Sequence, residues 1–298
     1  MFVSVIIASR GRPQVLAETV KSILQQARRP DEIIIAVTTT DDVLPGMDGS
    51  GVQVIISPPG SSVQRNEAIA ALNPASDLVV FLDDDVEVAS DYLIKVTNFM
   101  EVVPDVAAFS STPVLDKAMG GRLPREEAKA ILVNSLVSDP DVRSARGLYG
   151  CNMVVRAKYA RREKFDERLV SYAWLEDRDY GIRMEKYGAV VNYDGGRIVH
   201  FGTPGGRISE VRMGYIQIMN PAYLFFVKKE LTFREYVDHG INGFLANLAH
   251  RLGVLTLLRP QSIMTIDRNQ RLKGNFLALR DIFIGKLDPR LVLEVESR

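Results

Sequence analysis

The sequence predicts an α/β fold, a mainly parallel sheet flanked by helices with a helical C-terminal extension, and three observations carry that prediction. Short apolar runs rich in β-branched residues alternate with amphipathic stretches up to about residue 110, the pattern of strands joined by crossover helices. One run, Val79-Val80-Phe81-Leu82, stops abruptly at three carboxylates, Asp83-Asp84-Asp85. Open α/β sheets present their ligands beyond the carboxyl ends of such strands. After about residue 210 the strand-like runs vanish and helical periodicity remains.

The elements follow in order. Val3-Ser4-Val5-Ile6-Ile7-Ala8 reads as the first strand, and Leu16, Val20, Ile23 and Leu24 give a helix over 14–26 its apolar face. Strands are expected at 32–37 and 52–56, a helix at 62–72 and a strand at 78–82. Residues 111–147 change character, with Pro113, Gly120-Gly121, Pro124 and Pro140 around one helical stretch at 125–136. They read as an insertion. Strands are then expected at 150–155, 189–193 and 198–200, with a helix at 176–187. Pro221 reads as close to a helix start and Pro260 as a break.

Composition sets bounds on function. The chain has 298 residues, 46% of them hydrophobic, enough for a full core. Its 37 basic and 37 acidic residues cancel, which argues against nucleic acid, whose proteins bind by neutralising phosphates. The single cysteine, Cys151, excludes an intrachain disulfide and points to a reducing compartment. The N-terminus enters a strand at once without a basic leader, and no run reaches the roughly 18 apolar residues of a spanning helix. The expectation is neither export nor membrane insertion.

Three adjacent carboxylates repel one another, so the triplet calls for a positive partner. Hard divalent cations, magnesium or manganese, take such oxygens together with substrate phosphates. A solvated Asp-rich turn is the alternative. Further segments bear on the choice: Ser9-Arg10-Gly11-Arg12-Pro13 after the first strand, Gln64-Arg65-Asn66-Glu67-Ala68-Ile69 at a helix start, Gly150-Cys151-Asn152-Met153, and Trp174-Leu175-Glu176-Asp177 running on to Arg183. In this order, over roughly residues 2 to 230, the chain resembles the inverting family 2 glycosyltransferases of GT-A fold.

That resemblance implies a catalytic domain at 1–215, its nucleotide-sugar half at about 1–110 and its acceptor half at about 111–215, followed by the extension at 216–298. It implies transfer of a sugar, with inversion, from a nucleotide-diphospho-sugar to a hydroxyl of a saccharide or lipid-linked saccharide acceptor. Asp85 is the implied metal ligand of the acidic motif, joined by His200. Ser9, Arg10, Thr38, Asp42, Arg65, Asp83 and Asp84 are the implied donor-binding residues, with Arg207 on the glycine loop after His200. Asp177 is the implied catalytic base and Glu176 the second candidate. The family's usual acceptors further imply a cytoplasmic enzyme, peripheral at the inner face of the cell membrane, with a homo-oligomer left open.

Each residue also has a plainer reading. A lone histidine is commonly a partly buried polar residue, and acids in a first helical turn are favoured by the helix dipole alone. The family's acidic element after the second strand is displaced here to Asp41-Asp42, so Thr38 or Asp42 takes over its base contact and the base is unreadable. Two other functions stay open. One is a haloacid-dehalogenase-like phosphatase using Asp83 and Asp85, whose motif normally follows the first strand. The other is a nucleotide-sugar-binding module without turnover.

Overall fold

Strand β1 (Val3–Ala8) organises the larger sheet, because a continuous β-branched run is satisfied only where both of its faces are covered. It pairs in parallel with β2 (Glu32–Val37) on one side and β4 (Leu78–Asp83) on the other, and β3 (Val52–Ile56) extends the sheet beyond β2. Past β4 the direction reverses. Strand β9 (Asn152–Arg156) runs antiparallel between β4 and β6 (Val106–Ser110); β10 (Ala189–Tyr193) lies parallel to β6, and β8 (Val142–Ser144) closes the edge antiparallel to β10. The order is β3-β2-β1-β4-β9-β6-β10-β8. A second sheet has β11 (Ile198–His200) between β5 (Val86–Val88) and β7 (Leu115–Asp116).

Successive side chains of a strand alternate between sheet faces, and the two apolar layers divide accordingly. Val5, Ile7 and Leu82 pack with Leu16 and Ile23 of α1 (Pro13–Leu24) and with Leu93 and Val96 of α3 (Tyr92–Val102). Ile6, Ile34 and Phe81 pack on the other face with Ala68 and Ile69 of α2 (Ser61–Ala70), and with Phe165 and Tyr180, the latter on α6 (Glu176–Met184). Phe165 and Tyr180 stack at 3.9 Å, and Phe81 meets both rings edge-on. Further helices are α4 (Arg125–Asn134) and the short α5 (Ala157–Ala160) and α8 (Phe233–Tyr236).

The computed structural model describes residues 1–49, 51–117, 123–135, 139–203, 208–252 and 267–297. The chain divides into two units, Met1–Asp166 with Glu176–Gly206, and Glu167–Leu175 with Arg207–Arg298. The sheets belong to the first unit. In the second, α7 (Glu210–Ala222) and α10 (Arg268–Phe283) meet at Gly214 and Gly274, where a Cβ would run into the facing backbone of Arg271 and Val211. Asn275, buried at this contact, donates to the Gly214 carbonyl at 2.6 Å and accepts from Asn247 of α9 (Asn242–Arg251) at 2.9 Å. Among the described residues no helix is long and apolar enough to cross a membrane.

The structure adds short strands within residues 111–147, where β7 joins the smaller sheet and β8 the larger one, and it corrects the expectation for Pro221. Strands of two or three residues, held by edge pairing and not by burial, leave no apolar run to read. Pro221 lies in the last turn of α7, and the helix continues through a π-helical turn at Tyr223–Val227, with the Lys228 N–H donating to Tyr223 O at 3.1 Å. A proline lacks the donor for the regular ladder, and the wider register resumes it. Pro260 lies outside the described residues.

Candidate active site

Parallel pairing sets Ala8 beside Asp83, so the loop after β1 reaches the acidic triplet. The three carboxylates then separate in role. Asp84 is only 1% exposed and forms an ion pair with Arg12, accepting also from Ser9 Oγ at 2.5 Å. Burial raises its carboxyl to about 7, against the lowering by Arg12 and Ser9. Asp85, also buried, lies 3.5 Å from Arg12, and both Asp85 and Asp83 turn an oxygen toward His200. With His200 they form, among the described residues, a group of three donors whose ligand atoms lie within 4.8 Å of one another.

The smaller sheet brings His200 there. Its register sets His200 opposite Val86, next to Asp85, and beside Asp116 of β7. His200 Nε2 lies 3.3 Å from Asp85 Oδ1 and 3.9 Å from Asp83 Oδ2, while Nδ1 is 3.0 Å from Asp116 Oδ1. Burial lowers the imidazole pKa, but Asp116, Asp85 and Asp83 outweigh it and lift it to about 10. Burial raises the Asp85 carboxyl, yet His200, Arg12 and the Thr203 N–H at 2.6 Å bring it below the ordinary range. Two carboxylates and one imidazole are a suitable donor set for manganese or magnesium, with further positions left for water or phosphate.

The carboxylate pair that starts α6 reaches the same region through Arg65. The buried guanidinium, 5% exposed, contacts Glu176 Oε1 at 2.6 Å, Asp83 Oδ1 at 3.3 Å and the Gly150 carbonyl at 3.3 Å. Asp177 accepts from the backbone N–H of Gly150 at 2.7 Å and of Arg178 at 2.7 Å. A Cβ at 150 would stand 3.1 Å from Asp177 Oδ2, a tight contact that glycine avoids. Burial pushes both Glu176 and Asp177 above the usual carboxylate range, with Arg65 pulling against it at both. Immediately before this pair Ser171, Ala173 and Leu175 adopt left-handed backbone (φ 64°, 51° and 72°), conformations that cost non-glycine residues about 1–3 kcal/mol each and concentrate at functional sites.

The remaining expected donor residues are placed as follows. Asp42 is buried and accepts from Gly11 N–H (2.6 Å), Thr38 N–H (2.9 Å), Thr38 Oγ1 (2.7 Å) and Thr39 N–H (3.0 Å), tying the loops after β1 and β2 together. Burial raises its carboxyl, but these hydrogen bonds outweigh it and hold it low. Arg10 is exposed, and Arg207 lies outside the described residues. Arg12, Asp116 and Tyr149, whose hydroxyl donates to Asp116, were not among the expected residues. Only the Arg12 position, beside Arg10 in the loop after β1, left a trace in the sequence.

Residues 2–173 match the family model described as glycosyltransferase like family 2. The chain belongs to this family. The glycosyltransferase shares its fold with the mannosyltransferase PcManGT from Pyrobaculum calidifontis, solved in complex with GDP-Man and Mn2+: 14% identity, 94% of this chain and 87% of that one covered, TM-score 0.56. GalNAc-T7, solved with UDP, GalNAc and Mn2+, is similar at 12% identity over 83% of this chain, with TM-score 0.53; the match spans 57% of its own length. Comparison with curated protein sequences finds no match. In this GT-A-like fold the acidic triplet follows the fourth strand of the sequence, not the first, so the phosphatase alternative falls away.

Arg12 carries the first prediction. Arg12→Ala leaves Asp84 buried without its cation, and breaking a buried pair costs about 3–5 kcal/mol; the part-exposed Arg12 side chain places this case near the lower end. Asp84 has its folded pKa raised from 3.8 to about 7, so its contribution to stability is fully present below pH 3.8 and is lost as pH rises through 7. Removing Arg12 raises that pKa further. Urea denaturation should therefore show a deficit that grows from pH 5 to pH 8, and a deficit independent of pH would contradict this role.

Proposed function

We propose that this glycosyltransferase moves a sugar, with inversion, from a nucleotide-diphospho-sugar to a hydroxyl acceptor. The observation that carries the reading is the Arg65 bridge, which ties the acidic motif at Asp83 to the Glu176-Asp177 pair within the span of one guanidinium. Asp83, Asp85 and His200 are the residues to hold manganese or magnesium, and both structural neighbours carry Mn2+ in their solved complexes. A divalent cation held by them would supply positive charge to the departing nucleoside diphosphate.

The chain's own groups do the rest. Asp177, oriented by two backbone N–H groups, accepts the proton of the attacking hydroxyl, and its raised pKa suits a general base. Glu176, paired with Arg65, holds that guanidinium against Asp83. Ser9, Thr38 and Asp42 shape the loops that receive the nucleotide. The non-catalytic alternative has no need of a buried, raised carboxylate beside the motif. The test is incubation of nucleotide-sugars and saccharide acceptors with Mn2+, reading the anomeric configuration of the product; retention of configuration rejects the mechanism. A thermal-shift screen of nucleoside diphosphates narrows the donor first, since ligand at 100 times Kd stabilises by about 2.7 kcal/mol.

The acceptor is a saccharide or lipid-linked saccharide, met by a cytoplasmic enzyme at the membrane surface. The membrane part is supported by the solvent face of α10 and the residues just after it, where Phe276, Leu279, Phe283 (91% exposed) and Ile284 lie among Lys273, Arg280 and Lys286. Aromatic residues beside cations suit an anionic lipid interface. Co-sedimentation with anionic vesicles at low salt is expected for the full chain and should be lost in Phe283→Ser; a chain that stays in the supernatant removes the membrane part of the reading. Burial of the same face in a homo-oligomer is the other outcome, read by light scattering.

A further inference from the structure

We infer that Asp116 is a positioning residue for the metal site: it holds the His200 imidazole so that Nε2, and not Nδ1, faces Asp83 and Asp85, and Tyr149 in turn fixes Asp116. The inference rests on the reading of Asp83, Asp85 and His200 as metal ligands. The two nitrogens of an imidazole are distinct, and the partner of one decides what the other can do. Ligating histidines accordingly donate their second nitrogen to a carboxylate or carbonyl that fixes the ring.

Three features of the fold supply this arrangement. Parallel pairing of β11 with β7 sets His200 directly beside Asp116, so their contact is built into the register of the sheet. The Lys117 N–H donates to the His200 carbonyl at 2.9 Å and the Phe201 N–H to the Asp85 carbonyl at 3.0 Å, which fixes the backbone on both sides of the ring. Asp116 spends one oxygen on His200 Nδ1, at 3.0 Å, and the other on the Tyr149 hydroxyl. A carboxylate in this place keeps the proton on Nδ1 and leaves Nε2 to the cation. Without it only the carboxylates at Nε2 remain to orient the ring, and a cation bound there takes those for itself.

Tyr149 links this pair to the rest of the site. The next residue, Gly150, donates to Asp177 at 2.7 Å, and the Cys151 carbonyl accepts from the Asp83 N–H at 3.3 Å. One short segment thus touches the partner of His200, the candidate base and the first acid of the motif. It leads into β9 in sequence and adjoins the metal site in space.

The test uses the full chain without nucleotide, labelled with 15N-histidine, and 113Cd2+ as the probe. Only three histidines, His200, His239 and His250, contribute to the spectrum, so their imidazole nitrogens are separately assignable. In the wild type one histidine should show 113Cd–15N coupling at Nε2, and His200→Ala should abolish it. Asp116→Ala should lower Cd2+ and Mn2+ affinity by about 10–100-fold, the usual effect of losing an outer-shell partner, and divide the coupling between Nδ1 and Nε2. Tyr149→Phe removes only the hydroxyl and should weaken binding about threefold, one shell further out; it decides the matter if the alanine variant fails to fold. Wild-type affinity with coupling confined to Nε2 in the folded variants overturns the positioning role. Absence of coupling in the wild type overturns the metal reading itself, and the inference with it.

Discussion

Asp177→Asn is expected to lower single-turnover sugar transfer by about 10²–10⁴-fold while leaving donor affinity nearly unchanged, the usual contribution of a general base. Asparagine keeps the size of the side chain and can still accept from the Gly150 or Arg178 N–H, so the start of α6 should survive. What it lacks is the capacity to take a proton. Glu176→Gln should act differently. Its partner is Arg65, at 2.6 Å, and a neutral amide there weakens the shorter of the two ion pairs of a buried guanidinium, leaving it the Asp83 carboxylate at 3.3 Å. Donor affinity and stability should both fall, and transfer with them. Measuring the two variants side by side separates proton transfer from positioning. Near-normal transfer in Asp177→Asn with a large loss in Glu176→Gln would exchange the two roles.

Asp85→Ala is expected to reduce Mn2+-dependent nucleoside diphosphate affinity by on the order of 10²-fold or more, since loss of a ligand exceeds the ~10–100-fold of an outer-shell residue. Asp84→Ala should act mainly on stability, because Asp84 contacts Arg12 and Ser9 and lies outside the group of three donors. Calorimetric titration over a range of pH adds a second signature. His200 is lifted to about 10, so at neutral pH its Nε2 carries a proton that a cation must displace. Apparent metal affinity should therefore rise with pH, by about tenfold per unit while one proton is released. Affinity that is flat between pH 6 and pH 9 would remove His200 from the ligand set.

Where the sequence was informative, the reason is local. Central strands of a parallel sheet are buried on both faces, so Val3–Ala8, Glu32–Val37 and Leu78–Asp83 stand out as apolar runs, and the acids that end β4 stand out against them. The helix start at Glu176-Asp177 and the Asp179–Arg183 pair, 2.7 Å apart, are equally matters of near neighbours. The strands β5, β7 and β8 left no such signal. They have two or three residues each, and pairing with a distant strand is what makes them strands.

The sequence by itself determined the order of elements, the α/β class, the position of the acidic motif and its resemblance to family 2. Those features depend on composition and on spacing within one strand or helix. Tertiary structure alone decided that Arg12 pairs most closely with Asp84, that Arg65 lies between Asp83 and Glu176, and that His200 is oriented by Asp116. Each of these depends on segments far apart in the chain, joined by helix packing or by strand register, and both are fixed by the two faces of a sheet, which no single segment contains.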